Sequence, residues 1–264
     1  MSEPRLPPEL IHCIMDHLFD DMPTLTSIRF TDRTFNLSCR RYIFRIVNLT
    51  TKSRIEKFQA LLASSPSIVL FIKEFSLELE DHMFNHPGPK LNDTISNLLH
   101  QLTHIAVFDF GSEAITQWKD WPSAIRSAIK IPMSSPFLYS AMIFNIQGVL
   151  TSLFDACPTL EHLYILAITF EDNCPNGLQS RPYLQFLVIG SDDSDPLPRG
   201  IPADLTRLQY LMIRYPSPGS DGSWIWGEFI EPASKSLKTL DLTQLVCRLI
   251  RLRSKSLLTT YRRA

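Results

Sequence analysis

The chain reads as an α/β protein: a short helical unit leads into a parallel sheet laid down one strand per repeat. Three observations predict this. Three amphipathic stretches crowd the first fifty residues. A short apolar phrase then recurs along the remainder. Between its copies, helical periodicity alternates with Asn-, Gly-, Pro- and Asp-rich turns, and parallel strands need connections of that length. With 264 residues, 44% of them hydrophobic, and a formal charge of −1, there is room for one or two domains with a sizeable core. The expected division is residues 1–50, residues 51–245 and a basic tail, 246–264.

The first stretch announces a helix. Pro7 and Pro8 stand where a helix begins, because its opening turn has spare N–H groups. Glu9 places negative charge at the positive end of the dipole. Leu10, Ile11, Ile14, Met15 and Leu18 then fall at helical spacing and make one apolar face. Asp20, Asp21 and Pro23 end the pattern. A second stretch runs through Leu25, Ile28, Phe35 and Leu37, and a third through Tyr42, Phe44, Ile46 and Val47. Three short helices bury little apolar surface alone. They either pack on the rest of the chain or keep an apolar face for a partner.

Leu6-Pro7 with Glu9-Leu10-Ile11, then Ile14 and Leu18, then the segment from Leu25 to Phe35, resembles an F-box of the kind common in fungal proteins. The likeness covers about a sixth of the chain. Thr31-Asp32-Arg33-Thr34-Phe35 stands where the family usually carries Val-Cys-Arg-Ser-Trp. Arg33 agrees, while Asp32 replaces the Cys and Phe35 the Trp. The ending Arg40-Arg41-Tyr42-Ile43-Phe44-Arg45 also fits. The resemblance implies docking on the linker subunit of a cullin-RING (SCF) ubiquitin ligase, and through it on a cullin. The residues expected to dock are Leu6, Pro7, Leu10, Ile11, Ile14, Leu18, Leu25, Ile28 and Phe35. The alternative is a non-catalytic scaffold whose N-terminal helices only cap the domain that follows.

The recurring phrase is apolar, two residues, apolar, one residue, apolar. It occurs at Leu160-Leu163-Ile165, Leu184-Leu187-Ile189, Leu208-Leu211-Ile213 and Leu237-Leu240-Leu242, at intervals of 24, 24 and 29. Weaker copies stand at Ile72-Phe75-Leu77, Leu102-Ile105-Val107 and Leu138-Ala141-Ile143. Each predicts a short strand by its alternation. Helices are expected over Arg54–Ser64, Leu91–Leu102 and Ser123–Ile129, and around Val149, Leu150, Leu153 and Phe154 before Pro158. After that the connections shorten to turns such as Asp172–Gly177. The phrase resembles a leucine-rich repeat. The family places Asn or Cys eight residues after the first Leu, whereas this chain has Ile168, Asp192, Pro216 and Leu245 there. An irregular, curved, leucine-rich-repeat-like parallel sheet is therefore expected, with helices and turns on its outer side.

Alternation also fixes the faces. If Leu163 and Ile165 point inward, His162, Tyr164 and Leu166 point outward, and with them Phe186, Val188, Tyr210, Met212, Arg214, Thr239, Asp241 and Thr243. Aromatic residues and Met beside an Arg have the make-up of a binding hot spot. His162, Tyr164, Phe186, Val188, Tyr210, Met212 and Arg214 are therefore the candidate face for an unknown substrate protein. The competing reading covers this face with the chain's own C-terminal residues or helices.

No catalytic signature emerges: no phosphate-cradling Gly loop, no Gly-x-Ser-x-Gly, no His-Glu-x-x-His. The expectation is a protein that is not an enzyme, with no cofactor, no metal and no small-molecule substrate. His82 and His86 have metal-like spacing, but Pro87-Gly88-Pro89 follows at once and favours a loop. His100 and His104 share no face. Asp192, Asp193 and Asp195 lack calcium-loop spacing. Five cysteines lie far apart, which suits neither a disulfide framework nor a zinc site. Cys13 and Cys39 are expected in or near the core. The cysteine pattern, with no signal peptide or membrane-length apolar run, points to the cytoplasm or nucleus. Overall neutrality argues against a dedicated nucleic-acid binder. The tail carries Arg248, Arg251, Arg253, Lys255, Arg262 and Arg263 without an acid, and a solvated tail is favoured there over nucleic-acid or membrane contact.

Overall fold

Six of the seven expected copies of the apolar phrase become strands, because the second and third positions of the phrase share one face of the pleat. In the computed structural model the described residues are 7–18, 21–31, 33–80, 89–171, 181–190, 198, 200–215 and 226–244. The turn at 172–177, His82, His86, the acidic turn at 192–195 and the basic tail all lie outside them. The strands are β1 (Ile46–Leu49), β2 (Glu74–Leu79), β3 (Val107–Gln117), β4 (Ser140–Val149), β5 (His162–Phe170), β6 (Phe186–Gly190), β7 (Tyr210–Tyr215) and β8 (Thr239–Gln244). They form one parallel sheet in sequential order, β1 to β8.

The register follows the phrase. Leu163, Leu187, Leu211 and Leu240 sit side by side, as do Ile165, Ile189, Ile213 and Leu242. Ala141 and Ile143 pair with Leu163 and Ile165. A shared hydrogen bond marks the start of β2, β3, β5, β6, β7 and β8. One carbonyl accepts from two successive N–H groups of the next repeat: Arg45 O from Lys73 and Glu74, Lys73 O from Ala106 and Val107, and Tyr139 O from Glu161 and His162. Glu161, Gln185 and Gln209 repeat the arrangement toward β6, β7 and β8.

That marker corrects two expectations. Leu102-Ile105-Val107 is three residues out of step; the phrase at β3 is Ile105-Phe108-Phe110, all buried. Phe44-Val47-Leu49 is a further copy, and Ile46–Leu49 is a strand paired with β2 instead of the end of a third helix.

Two compact units divide the chain, Met1–Phe110 with Trp121–Leu138, and Gly111–Asp120 with Tyr139–Ala264. In the first, α1 (Pro8–His17), α2 (Met22–Ile28) and α3 (Arg33–Ile43) precede β1. Helix α4 (Lys52–Ser64) starts where the Thr51 side chain accepts from the Arg54 N–H, and it buries Ile55, Phe58 and Leu62. Helix α5 (Pro89–Gln101) buries Leu91, Ile95, Leu98 and Leu99 and packs on α4 and on α6 (Ser123–Met133). Beneath them Phe75, Phe108 and Phe110 stack in series, and Trp121 meets Phe110 edge-on.

In the second unit the core is the buried phrase itself, with Phe154, Leu160, Leu184, Leu208 and Phe229 filling beneath it. The helix expected around Val149 is instead a 3-10 turn, Thr151–Ala156, and Val149 ends β4. Asn145 and Ala167 occupy neighbouring positions in β4 and β5 at positive φ, 56° and 51°. The register shifts just beyond them, which is the signature of a bulge. Asn145 compensates by donating from Nδ2 to the carbonyls of Ser112 and Glu113.

Candidate functional site

The three N-terminal helices have a core of their own. Ile11, Met15, Leu25 and Cys39 are buried together, with Leu18, Ile28, Phe35, Tyr42 and Ile43 packed partly buried around them. Helices α1 and α2 pack on α3, and α3 on the 3-10 turn Pro66–Phe71. Asp21 caps α2, accepting from the N–H and hydroxyl of Thr24, and these bonds hold its carboxyl below the usual range. The Tyr42 hydroxyl donates to Asp16 Oδ1 at 2.5 Å, tying α3 to α1. Burial first, and Asp16 second, push that phenol up to about 12.

Helical spacing sends the apolar residues of α1 to two sides. Ile11 and Met15 turn inward, while Leu10 and Ile14, one turn apart, are 50% and 38% exposed. Cys13 is exposed as well, against the expectation of a core thiol, whereas Cys39 is buried. Of the residues expected to dock, Pro7, Leu10 and Ile14 are exposed, Leu18, Ile28 and Phe35 are partly buried, and Ile11 and Leu25 lie in the unit's own core. Leu6 lies outside the described residues. Sequence reasoning missed Phe30, 74% exposed in the turn after α2, and the exposed Met22. The Arg29 guanidinium lies 4.6 Å from the centre of the Phe30 ring.

On the outward face of the sheet the rows align as strand alternation requires. His162, Phe186, Tyr210 and Thr239 form one row; Tyr164, Val188, Met212 and Asp241 form the next. The aromatic rings touch across the strands. His162 meets Phe186 at 5.5 Å, and Phe186 and Tyr210 stack at 4.3 Å with their planes nearly parallel. Tyr139 adds an edge-on contact to His162, and Tyr164 packs against Phe186. The expectation of a fully exposed face fails at its centre, where Val188 and Met212 are buried. Neighbouring strands stand only about 4.8 Å apart, so large rings overhang the smaller side chains beside them. His162, Tyr164, Phe186, Tyr210 and Arg214 remain partly accessible. Arg214 Nε donates to Met212 Sδ at 3.3 Å. Burial depresses the His162 pKa, with Glu161 opposing.

Where β3, β4 and β5 end, an open hollow of about 370 Å³ is lined by Gln117, Lys119, Gln147, Thr169 and Glu171. Thr169 donates to Gln147 Oε1 and accepts from the Gly148 N–H. A polar, shallow wall of this kind lacks the apolar enclosure usual for small-molecule sites. Among the described residues, no three His, Cys, Asp or Glu side chains gather as a metal site, and no helix is long and apolar enough to cross a membrane. His100 is exposed on α5 and bonds to Ser96 O, while His104 stacks on Phe137. Comparison with protein-family models, characterised proteins and solved structures finds no match.

Proposed function

We propose that this chain is a substrate-recognition adaptor of an SCF ubiquitin ligase, acting in the cytoplasm or nucleus. The three-helix unit is read as an F-box that docks on the linker subunit. The sheet is read as an irregular leucine-rich-repeat-like domain whose aromatic rows hold a substrate protein. Such an adaptor performs no chemistry of its own. It raises the effective concentration of substrate lysines beside a ubiquitin-charged enzyme.

The observation that carries the reading is the split on α1. The unit already has a core in Ile11, Met15, Leu25 and Cys39, yet Leu10 and Ile14 stay exposed. Apolar side chains left outside a completed core favour a protein partner. In Ile14→Asp the new carboxylate stays solvated in the free protein but must be buried, unpaired, in the complex. The variant should keep its helical circular dichroism and lose the linker subunit in co-purification. Undiminished recovery would sink the reading. Ile11→Asp is the contrasting control, since it strikes the unit's own core and should cost helix content.

A further inference from the structure

The outward face of β4 to β7 departs from the rest of the sheet in composition. Ser140 and Met142 extend the two rows already described onto β4, and Phe144, Leu166, Gly190 and Arg214 form a third. Of these twelve positions Arg214 alone carries a formal charge, with His162 counted as neutral. The outward positions of β2, by contrast, hold Glu74, Ser76 and Glu78, and those of β8 hold Thr239, Asp241 and Thr243. A sheet face that meets only water reads as β2 and β8 do. The third row closes over Gly190, where an added Cβ would stand 3.1 Å from Leu166 Cδ2 and 3.6 Å from Arg214 Cβ. Arg214 thereby adds its aliphatic stem to the patch. Met142, Phe144, Tyr164, Leu166 and Phe186 stay partly accessible, which leaves the patch open to an outside group.

Backbone pairing and size decide what covers it. Each of β4 to β7 lies between two neighbouring strands, so their N–H and C=O groups point sideways into the ladder. An extended segment laid on this face finds no backbone partner there, whereas a helix arrives with its hydrogen bonds already made. Four strands and three rows cover about 19 Å by about 13 Å, roughly 250 Å² in projection. That is far below the roughly 800 Å² per partner of a stable interface, which argues against a second copy held by this patch alone. It matches three turns of helix, about 16 Å long and about 10 Å wide. We propose that the substrate presents an amphipathic helix of about three turns whose uncharged apolar stripe, at i, i+3 or i+4, and i+7, lies on these rows. This rests on the reading of the sheet as the substrate-holding domain and adds the class of segment it takes.

The test titrates the full chain into three labelled peptides, each about 18 residues long so that a helix can form, and reads fluorescence anisotropy. The first is an Ala-, Glu- and Lys-based helix with Leu along one stripe. The second scatters the same leucines around the helix, and the third keeps the stripe but carries two central prolines that break it. The striped helix should bind about tenfold more tightly than either of the others, and Phe186→Ala with Tyr210→Ala should weaken it about tenfold or more. Leu166→Lys should weaken it as much, because it keeps a packed stem but sets a charge in the patch, and its thermal midpoint should stay at the wild-type value. Equal binding of the scattered or proline-bearing peptide, lost in Leu166→Lys, overturns the helix and leaves the substrate face standing. Striped-helix binding undiminished in Leu166→Lys and in the double variant removes both readings. No binding of the striped helix by wild type overturns this inference alone. A thermal midpoint that falls with the affinity of Leu166→Lys makes that position structural and counts against the patch. Tighter helix binding after Leu249→Asp with Leu252→Asp would make the chain's own segment 245–264 the occupant, and a wild-type dimer dissociated by Leu166→Lys would make it a second copy. Either result overturns the proposal.

Discussion

At the scale of single residues, the sheet tolerates no side chain at Gly111. A Cβ there would stand 2.4 Å from the Phe144 carbonyl oxygen and 2.5 Å from its ring. Backbone is one of the obstacles, so rotamer changes alone cannot relieve it. Gly111→Ala should destabilise the protein by about 3 kcal/mol, at the upper end of overpacking effects, as read from urea midpoints. His162 makes a different prediction. Burial lowers its pKa below the ordinary 6.5, so between the two values the unfolded chain binds more protons than the native one. The contribution is complete above about pH 6.5 and is lost as pH falls through the folded value. His162→Phe retains a ring between Tyr139 and Phe186 and should flatten the acid-side loss of stability. An unchanged slope would assign that loss to other groups.

At the scale of elements, the buried row fades at the last strand. Leu211 and Ile213 of β7 are fully buried, while their neighbours in β8, Leu240 and Leu242, are 41% and 57% exposed. Leu211→Ala should therefore cost about 3 kcal/mol, as large-to-small changes in a core do. Leu240→Ala should cost about 1 kcal/mol or less. Equal losses in a denaturation series would mean that β8 is as enclosed as β7. The strands themselves were legible at Ile72, Leu138, Leu160, Leu184, Leu208 and Leu237, where the phrase and the strand coincide. Two were obscured for physical reasons. At β3, Leu102-Ile105-Val107 has the same spacing as the real phrase, and only the paired N–H groups of Ala106 and Val107 on Lys73 O settle the step. At β1, Phe44 and Val47 follow the apolar residues of α3 so closely that one helical pattern runs into a strand. On α1, periodicity marked Leu10, Ile11 and Ile14 alike as apolar. Which of them turns inward depends on where α3 packs, and that long-range contact leaves no local trace. Phe30 was missed because an aromatic between Arg29 and Thr31 reads as part of a polar turn.

For the whole molecule, the adaptor function proposed above requires that two proteins be held through surfaces that fail separately. Ile14→Asp should abolish recovery of the ligase subunits yet spare the substrate. Phe186→Ala with Tyr210→Ala should do the reverse while the fold persists. Loss of both partners in either variant, by co-purification, would contradict two independent surfaces. The sequential parallel order also bears on how such a surface can change. Six of the strands, β2, β3 and β5 to β8, start from one carbonyl gripping two N–H groups, whatever the length of chain before them. The phrases are separated by as few as 22 residues, from Leu138 to Leu160, and as many as 33, from Ile72 to Ile105, without loss of alignment. Lengthening a connection costs closure entropy that grows only logarithmically. The starting line of the strands is thereby insulated from growth elsewhere, and new loops can be added behind the sheet while the aromatic rows in front keep their spacing.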